Sequence, residues 1–229
     1  MPSFIDTEFG EVTVRRSARA RQVRLRIAPN GKLRASLPLF ATVNLVKRFI
    51  SSSRSDIRKL LESQASHTNY TQDMAIGKSH YLHVTNGPTT RISTESQIIR
   101  AVVKPDDSVA SSRVQSLIKN EVIKAVRREA KAYLPRRLAY LAQQQGFSYR
   151  KVRFSHASSR WGSCSSNGTI SLNIALMKLP HELIDYVLYH ELCHTQFMNH
   201  SPGFWELVER CDPNYATHRR LLRQEHPYL

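Results

Sequence analysis

Cysteine, long apolar runs and a leader segment are scarce or missing in this sequence of 229 residues. The three cysteines, Cys164, Cys193 and Cys211, form no CxxC pair, and their odd number in a chain of this size predicts reduced thiols instead of a disulfide framework. No stretch of about 18 apolar residues is present, and the first ten residues lack the basic and then apolar pattern of a signal peptide. These absences predict a soluble cytoplasmic protein with no membrane partner.

Acidic residues are also few, since 34 Lys and Arg stand against 18 Asp and Glu and give a net charge of +16. Such an excess favours an anionic partner, yet the basic residues are spread along the whole chain, so a well-solvated surface explains them equally well. No C2H2 spacing, RNP signature or basic region with heptads accompanies the charge. Nucleic acid therefore stays one of two hypotheses for the basic surface.

The first forty residues show a strand pattern with basic outward positions. Apolar residues recur at every second position in 12–14, 23–27 and 33–37, and Pro29-Asn30-Gly31 separates the last two runs as a turn. The pattern predicts a β-hairpin with one very basic face, whose side chains could meet a phosphate backbone together. The arginines concerned are Arg15, Arg16, Arg19, Arg21, Arg24 and Arg26.

Behind this region the periodicity changes twice. Helical spacing over 43–61 predicts one or two helices interrupted at the serines 51–53, and alternation over 75–104 predicts a second β-rich piece. The stretch 108–145 then has one long apolar stripe at helical spacing. Pro135 lies inside it, so a kink or break is expected there.

The last part of the chain mixes short strands with helices. Strands are predicted at 151–154 and 169–174, and a helix opens at Pro180, a residue favoured in a first turn. The fold class expected is α+β. A β-rich basic region over 1–105 and a catalytic region over 106–229 are expected to form one compact unit.

The helix after Pro180 carries the motif HExxH, formed by His190-Glu191-Leu192-Cys193-His194. Positions four apart lie one above the other on a helix, so the imidazoles of His190 and His194 can bind a single ion. Glu191 is displaced by about 100° around the helix and can reach a water beside that ion without ligating it. The motif predicts a zinc site with Glu191 as the general base.

A tetrahedral catalytic zinc site needs a third protein ligand, and His200 is the candidate. The sequence spacing between His194 and His200 matches the longer pattern HExxHxxGxxH, but Phe197 stands where that pattern has glycine. We therefore expect Asn199 to make the turn in a left-handed conformation, with Ser201-Pro202-Gly203 ending the helix. Ordinary surface or core roles are expected for Cys193 and for the histidines His156, His181, His218 and His226.

Further segments surround this motif. They are Ser159-Arg160-Trp161-Gly162-Ser163-Cys164-Ser165, Ile170-Ser171-Leu172-Asn173, Asp185-Tyr186-Val187, Asn199-His200-Ser201 and Phe204-Trp205. Together with Pro180 and the HELCH motif, they resemble the YgjP-like family of predicted zinc metallopeptidases, relatives of the SprT-like and Wss1-like proteases. The resemblance implies a compact zincin-like metallopeptidase domain with an N-terminal β-rich extension. It also implies a peptide or protein substrate, zinc ligands at His190, His194 and His200, and a base at Glu191.

The residue that stabilises the oxyanion is not identified by a motif. Arg160 and Asn173 are candidates, the alternative for Arg160 being a structural ion pair. Two other functions stay open at this point. A metal-dependent nucleotide phosphohydrolase would use the basic surface for phosphates, although the sequence has no Gly-rich phosphate loop and no carboxylate cluster. A DNA-associated protease would use the basic hairpin to bind nucleic acid.

Overall fold

The structure is a computed structural model that describes residues 2–18, 20–27, 33–66 and 69–229. Arg19 and the predicted turn at Pro29-Asn30-Gly31 lie outside the described residues. The chain divides into two units, Met1–Asn69 and Tyr70–Leu229.

The first unit is a four-stranded sheet with two helices packed on one face. Its strands, in the order β1-β2-β4-β3, are β1 (Ser3–Asp6), β2 (Gly10–Arg16), β3 (Arg24–Ile27) and β4 (Leu33–Leu37). The helices are α1 (Val43–Ser52) and α2 (Arg54–Ser66), with the predicted interruption falling at Ser53. Strands β3 and β4 form the predicted antiparallel hairpin, whereas β2 runs parallel to β4.

The core of this unit follows from the alternation of the strands. Every second residue of β2 and β4 is buried and packs against apolar positions of the helices. The buried residues are Val12, Val14, Leu33, Ala35, Leu37, Val46, Ile50 and Ile57. The opposite face of the sheet is therefore left mainly to polar side chains.

The second unit begins with another four-stranded sheet, in the order β5-β6-β8-β7. Its strands are β5 (Ala75–Ile76), β6 (His80–Asn86), β7 (Arg91–Glu95) and β8 (Ile98–Val103). Buried residues of β8, such as Ile99 and Ala101, share one core with the long helix α3 (Ser112–Gln145). The division after Asn69 thus differs from the boundary expected at 105/106, because this sheet packs on the helix that follows it.

Helix α3 has clear end signals. The Ser111 side chain accepts a hydrogen bond from the Val114 N–H, and Gly146 ends the helix in the left-handed conformation at φ 69°. The helix continues through Pro135, so the break that the sequence suggested there does not occur. Burial of the apolar stripe on both sides of the proline offsets the backbone hydrogen bond that proline cannot make.

A three-stranded sheet and three helices complete the unit. The strands, in the order β10-β11-β9, are β9 (Lys151–Ser155), β10 (Gly162–Cys164) and β11 (Thr169–Asn173). The helices are α4 (His181–Cys193), α5 (Pro202–Cys211) and α6 (Tyr215–Leu222), and a 3-10 turn at Ile174–Lys178 precedes α4. Strands β9 and β11 match the predictions, whereas β10 lacks a sequence signal. None of the helices in the described ranges is long and apolar enough to cross a membrane.

Helix α4 is held against α3 by a charged pair. The Arg137 guanidinium donates from Nε and Nη2 to the two carboxylate oxygens of Asp185, at 2.8 and 2.6 Å. Two parallel bonds of this kind fix orientation as well as distance. Because buried Leu183, Ile184 and Leu188 of α4 also join the common core, the end of this helix is firmly placed.

Candidate metal centre

The motif HExxH lies at the C-terminal end of α4. His190 and Glu191 are in the last turn, and His194 is the residue that caps the helix, its N–H bonding the His190 carbonyl. Because the helical conformation extends to His194 (φ −66°, ψ −12°), the two imidazoles project from the same side.

The chain leaves α4 through a series of tight turns. The N–H groups of Thr195 and Phe197 bond the carbonyls of Leu192 and Cys193, and the next helix begins at Pro202. Within the described residues, the non-glycine positions with positive φ are Asp73 and Ser96, so the left-handed turn expected at Asn199 is wrong. Consecutive turns reverse the chain without a left-handed residue. This explains how Phe197 can replace the glycine of the longer pattern.

These turns bring His200 back over the helix end. The ligand atoms of His190, His194 and His200 all lie within 4.8 Å of one another. Nε2 of His200 is 3.2 Å from Nε2 of His190. Two neutral ring nitrogens at this distance are favourable only when a proton or a cation lies between them. The geometry of the three rings therefore fits a single bound ion.

Hydrogen bonding selects the free nitrogen of His194. Its Nδ1 lies 2.9 Å from the Phe197 carbonyl oxygen, which can only accept, so Nδ1 carries the proton. Nε2 is left with its lone pair towards the other two imidazoles. A backbone carbonyl in this position is a common way to orient a histidine that binds a metal.

Aromatic rings hold the imidazoles in place. Phe204 stacks on His194 at 4.5 Å between ring centres, and Trp205 stacks on His200 at 5.5 Å. The Arg219 guanidinium lies over the Trp205 ring, at 4.4 Å from the ring centre. Helices α5 and α6 thus contribute the packing around the ligands, and the sequence pattern assigned none of these three residues that role.

Electrostatics keep His190 neutral. Burial lowers its pKa to about 3, and the neighbouring His194, His200 and Arg219 act in the same direction. Its Nδ1 atom is buried without a hydrogen-bond partner among the described residues. A neutral imidazole presents the lone pair that a metal ion requires.

Glu191 is the buried carboxylate of the site, with 5% of its surface exposed. Burial raises its pKa to about 8, against the opposing effect of the Arg160 charge. Its Oε2 atom has no hydrogen-bond partner in the described part of the chain. A buried carboxylate without partners is costly, and a cation at the three imidazoles would stabilise it.

Gly162 of β10 lies directly against this carboxylate. A Cβ at position 162 would stand 2.6 Å from Oε1 and 2.7 Å from Cγ of Glu191, closer than real contacts allow. Only glycine therefore lets the strand pass so close to the catalytic helix. Gly162 begins the short strand β10, for which the sequence has no signal, so this residue is marked in the sequence only by the segment around Trp161 that resembles the family.

We expect Gly162→Ala to impair catalysis while sparing the metal ligands. The added methyl group must displace the Glu191 carboxylate, and a shift of about 1 Å at a catalytic group can cost about 100-fold in rate. Gly203→Ala is the matched control, because a Cβ there meets Phe197 at 3.4 Å, an ordinary contact. Comparing kcat/KM and bound metal for the two variants tests this. Equal activities of the two variants would contradict the role given to Gly162.

The two candidates for the oxyanion role have different surroundings. Asn173 is fully buried, and its Nδ2 donates to the carbonyls of Ala157 and Arg160 while its Oδ1 accepts from the Ala175 N–H. It therefore holds the loop before β10 and has no free group for substrate, so the Asn173 candidate is wrong. Arg160 is exposed, lines the cavity beside the imidazoles and forms no ion pair with the described residues.

Two cavities meet at Gly162, His190 and Glu191. One, of about 310 Å³, opens onto the imidazoles and is also lined by Arg160, Ser163, Cys164, Met198, His194 and His200. The other, of about 210 Å³, is more apolar and is lined by Trp161, Tyr186, Val187 and Leu222. The carboxylate and the His190 imidazole thus lie between an open cleft and a more apolar recess.

Three comparisons with known proteins show what the chain is similar to. The model of the YgjP-like metallopeptidase domain matches residues 21–225, most of the chain. The chain belongs to the YgjP-like metallopeptidase family. No curated protein sequence matches it. Among solved structures, the metallopeptidase zymogen abylysin of Pyrococcus abyssi is 28% identical, covering 39% of this chain and 92% of its own, with a TM-score of 0.36.

Membership in a metallopeptidase family settles the class of reaction. This YgjP-like protein is a peptidase, its substrates are peptides or proteins, and its family implies a divalent metal. Within the described residues, one group of at least three potential ligand side chains is close enough to hold an ion, and it consists of His190, His194 and His200.

Proposed function

We propose that this chain is a zinc-dependent metallopeptidase with ligands at His190, His194 and His200 and with Glu191 as general base. The observation that carries the proposal is the approach of Nε2 of His190 and Nε2 of His200 to 3.2 Å beside a buried carboxylate that has an unpartnered oxygen. A cation bound by the three imidazoles would satisfy their facing ring nitrogens, and it would also stabilise the buried carboxylate.

The chemistry of the donor set favours zinc. Imidazole nitrogen suits zinc, whereas magnesium and calcium prefer oxygen ligands. Three protein ligands leave one tetrahedral position for water or substrate, as catalytic sites require. When bound, zinc supplies a Lewis acid that polarises the peptide carbonyl and makes water more acidic.

The residues of the chain supply the proton transfers. The Glu191 carboxylate accepts a proton from the attacking water and delivers it to the nitrogen of the leaving amine. Its burial excludes bulk water that would compete for these bonds, and Gly162 holds the opposite wall close. Arg160, exposed at the cavity edge, is the remaining candidate to stabilise the developing oxyanion.

The nucleotide phosphohydrolase is less well supported. Phosphate transfer with magnesium uses carboxylate ligands, and the only group of three or more potential ligand side chains within the described ranges is the histidine triad. A peptidase is also what the family match gives.

The experiment is to incubate the purified protein separately with casein and with nucleoside triphosphates, before and after a chelator, and then to restore zinc. Casein should be cleaved, the chelator should stop cleavage, and zinc should restore it. Consumption of triphosphates with intact casein would overturn the proposal in favour of the phosphohydrolase.

A further inference from the structure

The solvent face of the first sheet carries four exposed arginines, which we call the arginine face: Arg15, Arg24, Arg26 and Arg34. They alternate with the buried core positions of β2 and β4 or with the half-buried Leu25 of β3. Alternation places all four on the side away from α1 and α2. Three of them belong to the six arginines singled out in the sequence, while Arg34 joins them only through strand pairing.

The register puts these side chains side by side. Arg26 of β3 is directly opposite Arg34 of β4, and both Arg15 and Arg24 are register partners of Ser36 on β4. Neighbouring strands are about 4.8 Å apart, and alternate residues along a strand are about 6.6 Å apart. The four guanidinium groups therefore start from backbone positions within about 12 Å of one another.

This arrangement does not serve the stability of the sheet. Like charges directly opposite each other on a sheet are destabilising. Acidic side chains pair with other arginines of the unit: Arg54 bonds Asp6 and Glu8, and Arg58 bonds Glu8. None of the four arginines forms an ion pair with a residue in the described part of the chain, although Glu11 lies on the same face at the start of β2.

Protection of a sheet edge does not account for the arginines either. Charged residues on an edge strand discourage pairing with another molecule, and β3 is an edge strand. Arg15 and Arg34, however, belong to the inner strands β2 and β4, where hydrogen bonds on both sides leave nothing to protect. Repulsion within the face is therefore best relieved by an anion from outside.

We propose that the arginine face binds the phosphate backbone of a nucleic acid strand. Guanidinium groups bond phosphates with two parallel hydrogen bonds, and the hydroxyls of Thr13 and Ser36 between them are further phosphate donors. An acidic protein would need apolar anchors, and the large apolar side chain on the described part of this face is Ile5 of the edge strand β1. Contacts of this kind depend on the charge and spacing of the phosphates, so binding should not depend on the base sequence of the nucleic acid.

The test uses the full chain and labelled oligonucleotides of mixed sequence, single-stranded and duplex, titrated by fluorescence anisotropy at several salt concentrations. The variant Arg24→Ser/Arg26→Ser/Arg34→Ser removes three charges from the face. The control Arg128→Ser/Arg136→Ser/Arg220→Ser removes three from exposed positions of the second unit. The two variants have the same net charge as each other, so the non-specific attraction of the whole protein for nucleic acid is reduced equally in both.

The wild-type protein should bind at about 50 mM salt, with log K falling by about 0.9 per phosphate contact on duplex and about 0.7 on single strands. The face variant should lose about 0.9 from the duplex slope for each arginine removed and bind on the order of tenfold more weakly or worse, whereas the control keeps the wild-type slope. The thermal midpoint of the face variant should be unchanged or higher, because repulsion between the arginines is removed. Casein hydrolysis by the face variant should be unchanged.

Three results would overturn the proposal. These are no binding by micromolar wild-type protein at about 50 mM salt, equal weakening in both triple variants, or tighter binding to polyglutamate than to the oligonucleotides. The last result would assign the face to an acidic protein. None of these results bears on the peptidase function, which is measured separately with casein.

Discussion

Replacing Glu191 with glutamine is expected to lower kcat/KM for a peptide substrate by a factor of about 10²–10⁴, the usual contribution of general acid-base catalysis. The amide keeps the shape of the side chain but cannot accept a proton from water. Because Glu191 is not a ligand in the proposed site, the zinc content should stay that of the wild-type protein. Activity and metal content measured on the same preparation test both statements.

The control for this variant is Glu182→Gln, an exposed acidic residue in the first turn of the same helix. It should retain wild-type activity. Loss of zinc in Glu191→Gln as complete as in His190→Ala would make Glu191 a ligand. Full activity in Glu191→Gln would move the general base to another residue.

The second large effect is expected from removal of a ligand. His190→Ala, His194→Ala and His200→Ala should each weaken zinc binding by more than about 100-fold, since loss of an outer-shell partner of a ligand already costs about 10–100-fold. Hydrolysis should fall with the metal. Competition with a chromophoric chelator measures the affinity, and zinc added in excess should restore part of the activity.

His181→Ala is the matched control, since His181 is exposed at the start of the same helix and its Nδ1 lies 2.9 Å from the Tyr133 hydroxyl. Its zinc affinity should equal that of the wild type. If His200→Ala also kept the wild-type affinity, the third ligand would lie elsewhere, although His190 and His194 could still bind the ion.

The sequence is informative where the chemistry is local. The four-residue spacing of His190 and His194 on one helix predicts a common direction for the two imidazoles, and the structure brings those rings together with His200. Local sequence patterns do not predict close contacts between segments that are far apart in the sequence. The contact of Gly162 with Glu191 depends on the packing of β10 against α4, and the enclosure of Asn173 depends on its bonds to the loop before β10. No periodicity encodes either feature.

Turns and strand partners are the other limit. Phe197 and Asn199 sit in a series of turns whose hydrogen bonds replace the left-handed residue expected, because several backbone routes can reverse a chain over the same length. Alternation likewise identifies strands and their buried faces but not their neighbours. Arg34 therefore joins the arginine face only once β4 is known to lie between β2 and β3.

Zinc content per chain tests the proposed metal centre most directly. Elemental analysis of the protein, purified without chelators, should find about one zinc per chain, because three neutral imidazoles and one open position match the preference of this ion. The triple variant His190→Ala/His194→Ala/His200→Ala should contain almost none. Less than about a tenth of an equivalent in the wild-type protein, with no uptake when zinc is added, would contradict the site.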